Sequence, residues 1–173
     1  MRSPQTLAEA FDRLPPLVRN AVDGLELDDL AYRIDAEANT IAWLVWHLTR
    51  VQDDHIADAA GSEQVWTANG WFDRFELPFD RSATGYGQSP EEVGAVRVPA
   101  ALLVGYFDDV HAATERFVES LSDEDLDRVV DRSWDPPVTL GARLVSVVCD
   151  DLQHCGQAAL VRGVVLRRHD RAS

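Results

Sequence analysis

Residues 39–61 read NTIAWLVWHLTRVQDDHIADAAG. Ile41, Leu44, Leu48 and Val51 recur at helical spacing, Asn39 stands before them as an N-cap, and Gly61 follows as a stop, so the stretch predicts one helix. It packs Trp43, Leu44, Val45 and Trp46 into a core. A histidine, His47, stands among them and has to be explained.

Three other segments carry the same periodicity, which outweighs strand patterning throughout. One runs from Ser3, with Pro4 at the first helical position, through Leu7, Phe11, Leu14, Val18 and Val22 to Gly24, with a kink or break expected at Pro15 and Pro16. Another begins at Pro99 and follows Leu102, Leu103, Tyr106, Val110 and Phe117 to about Leu121. Ser122 then caps a short turn in SDEDL, and the acidic run SDEDLDRVVD reads as a solvated connection. The last begins at Thr139 and carries Leu140, Leu144, Val147, Val148, Ala158 and Val161 to Gly163, leaving VVLRRHDRAS as a basic, fraying tail. Residues 62–98, rich in Gly, Trp, Phe and Asp, form an unusually long connection between the second and third helices. The expected fold is an all-α four-helix bundle with a long crossover between helices 2 and 3, one domain over residues 1–165 followed by a tail over 166–173.

Composition narrows the function. A chain of 173 residues with 46% apolar content supports one core, not two. The net charge is −14, and all 16 basic residues are scattered arginines, so a phosphate backbone is repelled and no nucleic-acid partner is expected. The absence of lysine is read as the codon bias of a GC-rich genome. No run of eighteen apolar residues and no signal-peptide pattern is found, so no membrane association and a cytoplasmic location are expected. Cys149 and Cys155 are six apart on one helix and face different ways, which predicts two reduced thiols.

Bundle cores bind metals through side chains of facing helices. In CDDLQHCGQ, residues 149–157, Asp150 and His154 lie one helical turn apart, close enough to hold one ion from the same side. Asp151, three before His154, is an alternative on spacing alone. With His47 the set is two imidazoles and one carboxylate, and three protein ligands with open positions are the pattern of a catalytic metal site. A divalent ion there keeps residual positive charge and lowers the pKa of a bound thiol or water.

Other residues have ordinary readings. His55 and His111 are expected at the surface, Asp54 behind the site or at a solvated helix end, and Cys155 pointing away from it. Arg50 and Arg162 read as solvated or ion-paired, unless one meets an anionic substrate at the bundle mouth. Trp43, Trp46, Trp71 and Trp134 read first as core, second as cavity walls.

The segments ANTIAWLVWHLTRVQDDHI, GWFDRFELPFDRSATGYGQSPEEVGAVR and DDLQHCGQAALVRG resemble the signature regions of the DinB-like superfamily, in particular its actinobacterial mycothiol transferase branch, related to mycothiol-dependent maleylpyruvate isomerase. The likeness spans about residues 25–165. It implies up-down-down-up connectivity, a homodimer, and a divalent metal, zinc or nickel, held by a helix-two histidine and a pair on helix four. Carried over position by position, the ligands are His47, Asp150 and His154. Family members have His or Glu at the middle position, and the aspartate here is one methylene shorter. The implied activity is a metal-dependent thiol S-transferase or isomerase in which the metal, through these same three residues, activates a thiolate, with mycothiol as co-substrate, to attack a small electrophile. A hydrolase using the same triad is the alternative, as is a non-catalytic, dimeric, stress-related bundle with a vestigial metal site.

Overall fold

A computed structural model describes residues 2–172. Its elements are α1 (Ser3–Phe11), α2 (Leu14–Val22), α3 (Leu27–Leu30), α4 (Ile41–Ala60), α5 (Val65–Ala68), α6 (Trp71–Phe75), α7 (Pro90–Ala95), α8 (Ala100–Glu119), a 3₁₀ turn over Glu124–Asp127, β1 (Val129–Asp131), β2 (Val138–Thr139) and α9 (Leu140–Ala172). Four long bodies make the bundle: α1 with α2, then α4, α8 and α9. Their directions follow from cross-contacts. Asp12 and Arg19 meet His111 and Asp108, so α8 runs against α1–α2. His47 meets His154, and His55 meets Arg143, so α9 runs against α4. Ser3 bonds Asp123 near the start of α9, and Asp23 accepts from Arg162 further along it, so α9 runs with α1–α2. The connectivity is up-down-down-up.

The break in the first body falls at Asp12 and Arg13, ahead of the prolines. Pro15 and Pro16 thereby occupy the first turn of α2, where a missing N–H and a fixed φ cost nothing. α4 is the central helix, packed most extensively against α9 and next against α8, and buried on nearly every face. Thr40, not Asn39, caps it: its Oγ1 accepts from the Trp43 N–H at 3.0 Å, and Gly61 closes the helix in the left-handed conformation.

Two expectations are corrected by tertiary packing. α9 does not stop at Gly163 but continues to Ala172, because Val161 and Val165 on either side of the glycine pack into the core and Arg167 folds back over it. Strands are present too: β1 and β2 form a two-stranded antiparallel ribbon between α8 and α9. Ser122 does cap the turn before it, pairing with Asp125.

The crossover between α4 and α8 closes one side of the bundle. Trp66, Trp71 and Phe75 cluster with Tyr106 of α8. Beneath them lies a buried polar network. Arg50, fully buried, donates to the Ala83 carbonyl (3.0 Å), to Tyr106 Oη (3.2 Å) and to Asp53 Oδ2 (3.5 Å), and lies over the Trp66 ring. Asp53 also accepts from Tyr106 Oη and from the backbone N–H groups of Val65 and Trp66, each at 2.8 Å. Burial pushes the Asp53 carboxyl up, while Tyr106, the two N–H groups and Arg50 pull it down. Arg50 is therefore a structural cation tying α4 to α8 and the crossover, not a surface or substrate residue.

Asp151 is the opposite case. It is fully buried, and neither carboxylate oxygen has a hydrogen-bond partner. Desolvation, and then the neighbouring Asp150, push its carboxyl well above the usual range. The native state thus holds a proton that the unfolded chain releases above its ordinary pKa of about 4, so stability falls as pH rises from there through the native value. Asp151→Asn is expected to unfold at higher urea than wild type at pH 8, by ~1–3 kcal/mol, with the difference shrinking toward pH 4. Parallel urea titrations across that range check it.

Candidate metal centre

His47 projects from α4 and Asp150 and His154 from α9, and one donor atom from each lies within 4.8 Å of the others. His154 Nε2 is 3.6 Å from Asp150 Oδ1, and the two imidazole rings meet edge to face at 4.9 Å. Asp151, the alternative on spacing, points into the core and has no place in this cluster.

The tautomers follow from the partners. His47 Nδ1 is 2.6 Å from the Thr84 carbonyl, which can only accept, so Nδ1 carries the hydrogen and Nε2 keeps its lone pair. His154 Nδ1 is likewise paired with the Gln157 amide oxygen at 2.9 Å, leaving Nε2 for the cluster. Each ring is thus oriented by a hydrogen bond on its far nitrogen, as metal-ligating histidines are. Burial holds the His47 imidazole below its ordinary pKa, with His154 acting in the same direction and Thr84 and Asp150 opposing. The ring is neutral, as a ligand must be. Asp150 Oδ2 is buried without a donor, so this carboxylate has a demand that a bound cation would meet.

The crossover sequence TGYGQ is explained here. Trp43 stacks on His47 (4.5 Å, 14°) and donates from Nε1 to Gln88 at 2.7 Å. Gly85 has φ +96°, and a Cβ there would stand 2.6 Å from His47 Nδ1 and 3.1 Å from both Trp43 and Trp46. Only glycine lets the backbone approach closely enough for the Thr84 carbonyl to hold His47. Gly85→Ala is expected to displace this loop, weakening metal retention about 10–100-fold as lost orienting bonds do, with the bundle intact by circular dichroism. Competition against a graded series of chelators measures it.

A cavity of about 320 Å³ opens beside the cluster, lined by His47, Asp150, Asp54, His55, Ser146 and Tyr86 among others. His55 is thus not simply a surface residue: it is half-buried against Arg143, and burial with that cation lowers its pKa. Asp54 lines the cavity and accepts from Gln64 at 2.7 Å. Tyr86 stands 94% exposed at the rim between two glycines of positive φ, a signal that spacing arguments did not use. His111 is buried too, on the far side of the bundle, stacked on Phe107. Cys155 is buried with its thiol pushed up to about 12 by desolvation and then Asp151, which excludes a nucleophile. Arg162 binds the Asp23 carbonyl, Trp46 and Trp71 are core, and Trp134 is exposed.

Bundle, crossover and a two-histidine, one-carboxylate cluster beside a cavity define a class of helical proteins built to present a metal with open positions. A sequence model of the mycothiol-S-transferase family matches residues 6–166, and the chain belongs to that family. Among solved structures it is similar to a conserved protein from Enterococcus faecalis, 28% identical, with a TM-score of 0.89 over 96% of this chain and 98% of that one. No curated protein matches it. Among the described residues, no helix is long and apolar enough to cross a membrane.

Proposed function

We propose that the protein is a metal-dependent thiol S-transferase acting with mycothiol, its site formed by His47, Asp150 and His154. The observation that carries the reading is the convergence of two Nε2 lone pairs and a donorless buried carboxylate oxygen beside a cavity in a chain of this family. When bound, a divalent ion such as zinc or nickel supplies Lewis acidity that lowers the pKa of a thiol to the working range. The protein's own residues do the rest. Thr84 and Gln157 fix the ligand tautomers, and the stacked Trp43 restricts water around His47. His55, uncharged at neutral pH, and Asp54 offer acceptors in the cavity for polar groups of the substrate, while Tyr86 offers a face to cover it.

Purified protein loaded with zinc or nickel is expected to consume mycothiol and a small electrophile together, followed by loss of free thiol. Thiol consumption at the uncatalysed rate, with metal bound, would leave the hydrolase reading to be tested on esters and amides. Two free cysteines support a cytoplasmic setting. A homodimer is proposed through α9, where Val145, Cys149, Leu152, Gly156 and Ala159 form an exposed seam at alternating spacings of four and three. Leu152→Arg would then sediment as a monomer.

A further inference from the structure

The geometry points to a second divalent-cation site, formed by Asp12, His111 and Glu115 on the side of the bundle where α8 meets α1–α2. His111 and Glu115 lie one turn apart on α8, and Asp12 closes α1 at the break before α2. One donor atom from each lies within 4.8 Å of the others. His111 Nε2 is 3.7 Å from Asp12 Oδ1 and 3.6 Å from Glu115 Oε1. Two ligands of a tetrahedral zinc at its usual bond lengths stand about 3.3 Å apart, so both carboxylates lie within a few tenths of an ångström of ligand spacing from His111 Nε2.

The imidazole itself supplies the independent sign of a ligand. His111 is only 9% exposed and is fixed by stacking on Phe107, and the nitrogen it turns to the cluster, Nε2, makes no hydrogen bond: it faces two carboxylates that are both beyond hydrogen-bonding distance. Among the described residues, neither carboxylate has an arginine partner, although Glu9 and Asp108 close by both do. One imidazole and two carboxylates suit zinc, manganese or iron, and the half-exposed carboxylates leave positions for water. An ion there ties the junction of α1 and α2 to α8, so its role is to fix the broken helix, independently of any chemistry at His47.

Zinc is the probe. Chelator-stripped full-length protein is dialysed against buffered zinc, and bound metal is counted by elemental analysis alongside the melting temperature. Wild type is expected to take up two equivalents, His47→Ala with His154→Ala one, and the further change Glu115→Gln none, with melting raised by several degrees in every variant that retains Asp12, His111 and Glu115. Glu115→Gln is isosteric at a half-exposed side chain and keeps the fold, so in wild-type background it lowers two equivalents to one. The proposal is overturned if the His47/His154 variant binds no zinc, or if its one equivalent survives Glu115→Gln. Failure at His47 instead would show as one equivalent in wild type and none in Glu115→Gln, which separates the two readings.

Discussion

Asp53→Ala is expected to destabilise the protein by about 3–5 kcal/mol, the cost of breaking a buried ion pair by removing one partner. The carboxylate serves four donors at once, on three parts of the chain: Arg50, Tyr106, and the N–H groups of Val65 and Trp66. Truncation strands a guanidinium that has no exposure to water, and leaves two backbone donors at the start of the crossover unpaired. Because burial already pushes the Asp53 carboxyl up, the pair as a whole contributes little net stability, and its role is to specify where the crossover attaches. Arg50→Met made together with Asp53→Leu removes the stranded charge but not the unpaired N–H groups of Val65 and Trp66, and should therefore recover only part of the loss. Urea unfolding of the two single variants and the double variant measures the coupling, and a loss below about 1 kcal/mol for Asp53→Ala would remove the network from this role.

His47→Ala is expected to abolish metal retention at its own cluster, and turnover with it, while leaving the melting temperature of the metal-free protein within a few degrees of wild type. The imidazole supplies the α4 side of the cluster, so without it Asp150 and His154 remain as two neighbours on one helix, too few to enclose an ion. Elemental analysis of wild type and variant prepared side by side should find about one equivalent fewer in the variant, and thiol-transfer activity should fall at least ~1000-fold, an oxyanion-donor scale of loss or larger. Full metal retention in His47→Ala would sink the assignment of this residue as a ligand. Retention of metal with loss of activity would instead make His47 a substrate contact.

The helices were legible because burial imposes period on sequence, and α4, α8 and α9 were found from apolar spacing alone. The cluster was legible for a related reason: His47 broke an apolar face, and Asp150 and His154 shared one turn. Periodicity says which way a residue faces but not what it meets. Arg50 therefore read as a solvated or substrate-facing cation, although Asp53, Tyr106 and Ala83 were waiting for it. His55 and His111 read as surface residues because Arg143 and Phe107, which cover them, come from spacing the sequence does not encode locally or from a stacking it does not announce. Gly163 carried the ordinary signal of a helix stop, and tertiary packing of the valines around it overrode that signal.

The bond from Thr84 to His47 is made by a main-chain carbonyl. Its strength does not depend on which side chain residue 84 carries, and Gly85 is constrained by its positive φ and by the space beneath it. Orientation of the proposed ligand and selection of the substrate are thereby separable under mutation. Side chains at the cavity rim, Tyr86 foremost, can be exchanged to accept a different electrophile while the same peptide unit continues to aim the imidazole. A scaffold with that division can diversify in what its cavity accepts without rebuilding how it orients this histidine.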